Sequence, residues 1–286
     1  MNFPDVHAFI SQGYPLAAVR TMIDSTTRTT TLSLLRPEEP PAVEVVNAGG
    51  GSHVVLVCDH ASNRVPARLG TLGLDAVQLA DHIGWDPGAA DVARRLSGSL
   101  DAPLVLSGYS RLVIDCNRPL RSAESIPGQS AGVIVPGNQA LSVEDREIRI
   151  KELFLPYHDA IDRLLDTRSQ RPSLLLSIHS FTPVLYGRSR PWHIGVCYGH
   201  NRGFAALMLE ALSRKKDITI GDNEPYPIED DYDYTIPVHG EGRGIPSAMI
   251  EIRQDRIRTA EDVAAWAVRL AEAYQFIETG TRHVPG

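Results

Sequence analysis

Lysine is almost missing from this 286-residue chain: Lys151, Lys215 and Lys216 are the only ones among 28 basic residues. The remaining positive charge is arginine, so a single arginine carries functional weight only where its neighbours lend it some. Acidic residues number 35 and the formal net charge is −7. That balance leaves no basic surface for a phosphate backbone, and nucleic acid is not an expected partner. Cysteine is equally scarce, with Cys58, Cys116 and Cys197 alone. Three thiols without close spacing exclude a disulfide framework and a cysteine-ligated zinc. Each lies in or just after an apolar run, as a buried free thiol does. No stretch reaches the roughly 18 consecutive apolar residues of a membrane helix. The N-terminus lacks a cationic segment leading into a long apolar core. The expectation is a cytoplasmic protein with no membrane partner.

What is present reads as one folded domain. A hydrophobic share of 43% with 22% charged residues is ordinary for a globular chain, and the length suits one large α/β core. Residues 1–45, with a threonine-rich run at 26–31 and Pro37-Glu38-Glu39-Pro40-Pro41, show no sustained period and read as an extended or mobile lead-in. Met22 leaves the start open between itself and Met1. Residues 46–286 form the expected single domain. Short apolar runs predict strands at 53–58, 103–107, 111–116, 173–178, 193–198, 217–220 and 247–252. Helical patterns fall at about 75–83, 87–99, 142–167, 203–215 and 259–278.

Local signals support these assignments. Asp86-Pro87 reads as a cap followed by proline in the first helical turn, and Ser142 precedes the acidic pair Glu144 and Asp145. Pro156 is expected to bend or break its helix. Strands separated by helices imply a mixed sheet covered on both faces, a three-layer α/β/α architecture. Such sheets bind ligands beyond the carboxyl ends of their strands. Residues 118–141 and 221–246 are long, rich in glycine and proline, and read as binding loops rather than linkers.

Three apolar runs deliver chemistry near their ends. Val54 to Cys58 leads into Asp59-His60, Leu174 to Ile178 into His179, and Ala248 to Ile250 into Glu251. Two histidines and a glutamate at equivalent strand positions can meet at one sheet edge. A divalent metal on the histidines beside a carboxylate base is the economical reading, because it activates water near neutral pH. A lone histidine at a strand end is more often a hydrogen-bonded structural residue, and only the joint pattern favours the metal. Asp86 serves equally well as a ligand or a helix cap, and Arg118 before Pro119 also suits a plain turn.

Asp59-His60-Ala61-Ser62-Asn63-Arg64-Val65-Pro66, the run from Ser110 to Pro119, and Ile178-His179-Ser180-Phe181-Thr182-Pro183 resemble the N-formylglutamate amidohydrolase family. Gly221 to Tyr226 and Ile250 to Asp255 extend the likeness, which covers roughly residues 40–275. The resemblance implies the phosphorylase/hydrolase-like fold of zinc carboxypeptidases and aspartoacylases. It further implies one zinc ion and a small acidic N-acyl amino acid as substrate, most simply N-formyl-L-glutamate. Within those relatives the first ligand pair is His-x-x-Glu, which falls on His60 and Asn63, and the later histidine ligand falls on His179. The general base falls on Glu251, the carbonyl-polarising arginine on Arg111, and the carboxylate clamp on Asn117 and Arg118. Tyr226 and His239 are the expected further pocket residues. Asn63 departs from the pattern, since a neutral amide is a poorer zinc ligand than a carboxylate. Asp86 or His82 is the alternative third ligand, and Asp59 is an expected hydrogen-bond partner of His60. A related deacylase or carboxypeptidase, or a non-catalytic carboxylate-binding protein, stands as the alternative.

Overall fold

The computed structural model describes residues 33–168 and 173–281. Seven strands form the central sheet: β1 (Val43–Val46), β2 (Val54–Cys58), β3 (Leu104–Ser107), β6 (Leu174–Phe181), β9 (Ile194–Cys197), β10 (Ile220–Asp222) and β11 (Ser247–Arg253). Across the sheet they lie in the order β1-β3-β2-β6-β11-β9-β10. The central strands β3, β2, β6 and β11 are mutually parallel, whereas β9 runs antiparallel to β11 and β1 antiparallel to β3. Two small hairpins lie outside the sheet: β4 (Gln129–Ser130) with β5 (Val133–Ile134), and β7 (Val184–Leu185) with β8 (Arg188–Ser189).

The central strands are uninterrupted apolar runs because both their faces are covered. On one face Leu56, Leu104, Leu176, Val196 and Ile250 pack beneath three helices: α2 (Ala89–Leu100), α5 (Gly203–Ser213) and α6 (Ala260–Thr281). On the other, Val55, Val57, Val105, Leu175 and Met249 pack against Tyr157, Ala160, Ile161 and Leu165 of α4 (Leu155–Thr167). The result is the mixed, doubly covered sheet expected from sequence. Two shorter helices, α1 (Ala76–Ala80) and α3 (Val143–Arg149), lie outside these layers. A separate apolar cluster, built from Leu72, Ile83, Leu112, Val113, Leu120, Ile126, Val135 and Phe154 among others, backs the irregular segment between β3 and α3.

Three local expectations are corrected. Residues 111–116 form no strand. Arg111 N donates to Gly84 O and Val113 N to Ser110 O, and Leu112, Val113 and Ile114 bury in the separate cluster. Packing there outweighs their strand propensity. Part of the expected lead-in is built into the domain: Val43–Val46 pairs with β3, Leu34 is buried, and Glu152 accepts backbone N–H bonds from Leu34 and Leu35. Residues 1–32, including Met22, lie outside the described residues. Pro156 neither ends nor breaks the helical run. A π turn at Ile150–Phe154 widens the helix just ahead of it, and Pro156 falls in the first turn of α4.

Candidate active site

Parallel register puts the carboxyl ends of β2, β6 and β11 on one edge, and β6 and β11 pair Glu251 directly with His179. Along β6 the residues Leu175, Ser177, His179 and Phe181 share the face toward α4, and Glu251 shares it on β11. His60 follows β2 by two residues and reaches the same place: its ring lies 4.9 Å from that of His179, nearly perpendicular to it. Asp86 joins them. Its Oδ2 lies 2.9 Å from His179 Nδ1 and 3.4 Å from His60 Nδ1.

The carboxylate of Asp86 is therefore not a helix cap. Gly88, with φ of +80°, occupies the N-cap position of α2 without any side-chain cap, and a Cβ there would stand 2.6 Å from Ile257 O. This leaves Asp86 free to turn toward the histidines, where Ser180 N also donates to it.

Each imidazole is gripped from behind. His60 Nε2 lies 2.7 Å from Asp115 Oδ1, and His179 Nε2 lies 2.9 Å from Asp59 Oδ2. Asp59 thus partners His179, not His60 as expected from sequence. Tyr157, Ser177 and Thr235 hydroxyls also donate to Asp59. A carboxylate on Nε2 takes the proton there and fixes each ring so that its Nδ1 points at Asp86. Burial opposes ionisation of Asp59 and Asp86, but the hydrogen bonds and charges of the two histidines hold both well below the usual carboxylate range. Burial likewise opposes a charged His179, and Asp59 and Asp86 overcome it, holding its pKa well up.

These donors fit a divalent cation. His60, Asp86 and His179 are all buried and place one ligand atom each within 4.8 Å of one another. The 2.9 and 3.4 Å separations resemble the roughly 3.3 Å between donors at tetrahedral zinc distances. Asn63 takes no part in this group: its amide donates to Leu79 O. His82 is also elsewhere, beside Asp81.

Glu251 is 4% exposed, and its Oε2 has no hydrogen-bond partner among the described residues. Burial, with the charge of Asp86 adding, pushes its carboxyl up to about 7 against the pull of His179, His60 and Arg111. Arg111 donates to Asp115 and stands 3.6 Å from Asp86, and these charges hold its guanidinium firmly protonated despite burial. Asn117 and Arg118 come together as expected but are already engaged. The Asn117 amide donates to Asp233 and accepts from Tyr234 and Thr235 N–H groups. Arg118 lies 3.3 Å from the Asp233 carboxylate and stacks on Tyr232. Tyr226 lies within the electrostatic reach of Glu251.

His239 is not a pocket residue. It is fully buried, bonded to His158 and Asp162 of α4. Asp115, Asp233 and Arg190 went unassigned in the sequence reading. Asp115 stood in the Ser110–Pro119 motif, but its supposed strand hid its direction. The apolar groove between Phe204, Leu207, Tyr274 and Ile277 lies at the opposite, amino-terminal edge and carries none of these groups.

The N-formylglutamate amidohydrolase family model matches residues 52–258, spanning every residue of this site. The chain belongs to that family. A gene product of Agrobacterium tumefaciens, known from its crystal structure, is 39% identical over 86% of this chain and 99% of its own, with a TM-score of 0.82. An N-formylglutamate amidohydrolase from Ralstonia eutropha shares the fold at 18% identity, with a TM-score of 0.62 over 86% of this chain and 100% of its own. No curated protein matches the sequence. Within the amidohydrolase family fold, no helix among the described residues is long and apolar enough to cross a membrane.

Proposed function

We propose that this amidohydrolase is metal-dependent and cleaves N-formyl-L-glutamate to formate and L-glutamate. One observation carries the reading: the pairing of Glu251 with His179 sets a buried, unpartnered carboxyl oxygen that titrates near neutrality beside the His60–Asp86–His179 group. A divalent ion held by those three residues, zinc in the first instance, supplies Lewis acidity toward a carbonyl and acidifies water.

The protein's own groups account for the remaining steps. Glu251 Oε2 takes the proton that the attacking water loses and returns it to the nitrogen of the leaving amine. A carboxyl poised at about 7 suits both halves of that transfer. Asp59 and Asp115 fix the ring orientations of His179 and His60 through their Nε2 atoms. Arg111, at the rim, faces the oxygen on which charge develops. Arg118 accepts a substrate carboxylate in exchange for Asp233, whose own carboxyl burial already pushes up. Water adds across the C–N bond, and the acyl group leaves as formate.

Zinc-loaded protein is expected to release formate from N-formyl-L-glutamate. Glu251→Gln should keep its metal while turnover falls by about 10²-fold or more, because the amide cannot accept the proton. Normal turnover in a metal-replete Gln variant removes that role from Glu251, and no formate from the zinc-loaded parent overturns the reading as a whole.

A further inference from the structure

The arginines at the active edge differ in one respect. Arg111 faces Asp115, Arg118 faces Asp233, and Arg253 faces Asp255. Arg190 has no carboxylate among the described residues, and its NH1 has no hydrogen-bond partner, although the residue is only 8% exposed. A buried cation without an anion is costly unless something arrives to pair it.

Its surroundings show where that something sits. Arg190 follows the β7–β8 hairpin, and its N–H returns to Pro183 O, just past the end of β6. Its guanidinium lies 5.6 Å from the Phe181 ring and 4.7 Å from the Tyr226 ring. Phe181 is two residues beyond His179 on the same strand face, and Tyr226 feels the charge of Glu251. The cation therefore stands near the Glu251 side of the site, beside the rings of Tyr226 and Phe181.

We propose that Arg190 is the specificity residue that anchors the side-chain carboxylate of a dicarboxylic substrate. The inference rests on the N-acyl amino acid reading above. A cation flanked by aromatic rings suits two methylenes ending in a carboxylate, whereas the α-carboxylate lies beside the polar amide under attack. The fork of an arginine grips both carboxylate oxygens at once.

The test compares the parent with Arg190→Met on three substrates: N-formyl-L-glutamate, N-formyl-L-glutamine, and the α-amide of N-formyl-L-glutamate. The parent should prefer glutamate to glutamine by about 10- to 100-fold in kcat/KM, the worth of a charge-assisted hydrogen bond. In Arg190→Met that preference should collapse toward one, mainly through KM, and Arg190→Lys should restore part of it. Melting temperature should hold or rise in Arg190→Met, since an unpaired buried charge is lost; a structural arginine would lower it. Parallel losses on all three substrates, or loss of preference against the α-amide alone, overturn the assignment. A binding arm separates this proposal from the catalytic one. L-Glutamate, but not L-glutamine, should raise the melting temperature of the parent and lose that effect in Arg190→Met. If that binding holds while no N-formyl amino acid is hydrolysed, the anchor stands and the deformylase reading fails. Equal stabilisation of both proteins by L-glutamate ends the proposal.

Discussion

His158 is as buried as His60 and His179 yet has a different fate, and the contrast lies in its partners. The two site histidines meet carboxylates at both ring nitrogens. His158 meets the Cys116 carbonyl on Nε2 and His239 on Nδ1. Burial, with the neighbouring charge of His239, brings its pKa down to about 3, so it stays neutral in the fold. Once unfolded it titrates near the ordinary value of about 6.5. The depressed folded pKa means that its contribution is present above about 6.5 and is lost as pH falls toward about 3, because the unfolded chain binds one proton more. Urea titrations between pH 6.5 and 4 should show unfolding free energy falling by up to about 1.4 kcal/mol per pH unit from this residue. His158→Gln, which still has an N–H for the Cys116 carbonyl, should be shallower by about one proton. Equal slopes in the two proteins would show that His158 is not the group taking up that proton.

At the scale of elements, the strand beside Glu251 meets the loop that carries Tyr226 at a glycine. Gly195 in β9 pairs with Glu251, and a Cβ there would stand 1.8 Å from Glu224 O. The close approach is what lets the segment carrying Tyr226 lie flat against the sheet, with Asn223 N donating to Val196 O. No rotamer change relieves a clash with backbone, so Gly195→Ala should cost about 1–3 kcal/mol of stability in urea unfolding. It should also raise KM for N-formyl-L-glutamate by displacing Tyr226; unchanged KM and stability would mean that the segment yields freely. Such contacts explain what sequence could and could not reveal. Strands β2, β6 and β11 were legible because burial on both faces demands continuous apolar runs, and that set His60, His179 and Glu251 at one edge of the sheet. The direction of Asp86 was not legible, since the same Asp-Pro pair would serve a cap. The apolar spacing of residues 111–116 satisfied a strand pattern equally well, and only the separate cluster that receives Leu112, Val113 and Ile114 decides against it. His239 was misplaced because a polar loop residue carries no mark of which face it packs on. Arg190 was lost among the many arginines, because its place beside the Phe181 and Tyr226 rings comes only with the fold.

On the scale of the whole molecule, the site is a seam between two packed bodies. His60, His179 and Glu251 ride on the doubly covered sheet, whereas Arg111 and Asp115 belong to the irregular segment backed by its own apolar cluster. Asp86 closes the seam from the turn before α2. Asp59, Asp86 and Asp115 are buried about the two histidines there, and a divalent cation held by His60, Asp86 and His179 would take the place of the proton that keeps His179 charged. An ion that binds only the folded arrangement stabilises it by mass action, about 2.7 kcal/mol at a hundredfold excess over its dissociation constant. For a chain of this size that corresponds to a rise of roughly 5–10 °C in melting temperature. Zinc added to chelator-treated protein should produce such a shift and should saturate at about one ion per chain. Asp86→Asn removes the donor charge nearest both histidines and should reduce the shift to little or nothing. Asn63→Asp, by contrast, changes a side chain turned toward the Leu79 carbonyl and should leave zinc affinity as it was. Tighter zinc binding in Asn63→Asp with no loss in Asp86→Asn would transfer the third ligand to Asn63 and restore the His-x-x pattern that the resemblance suggests.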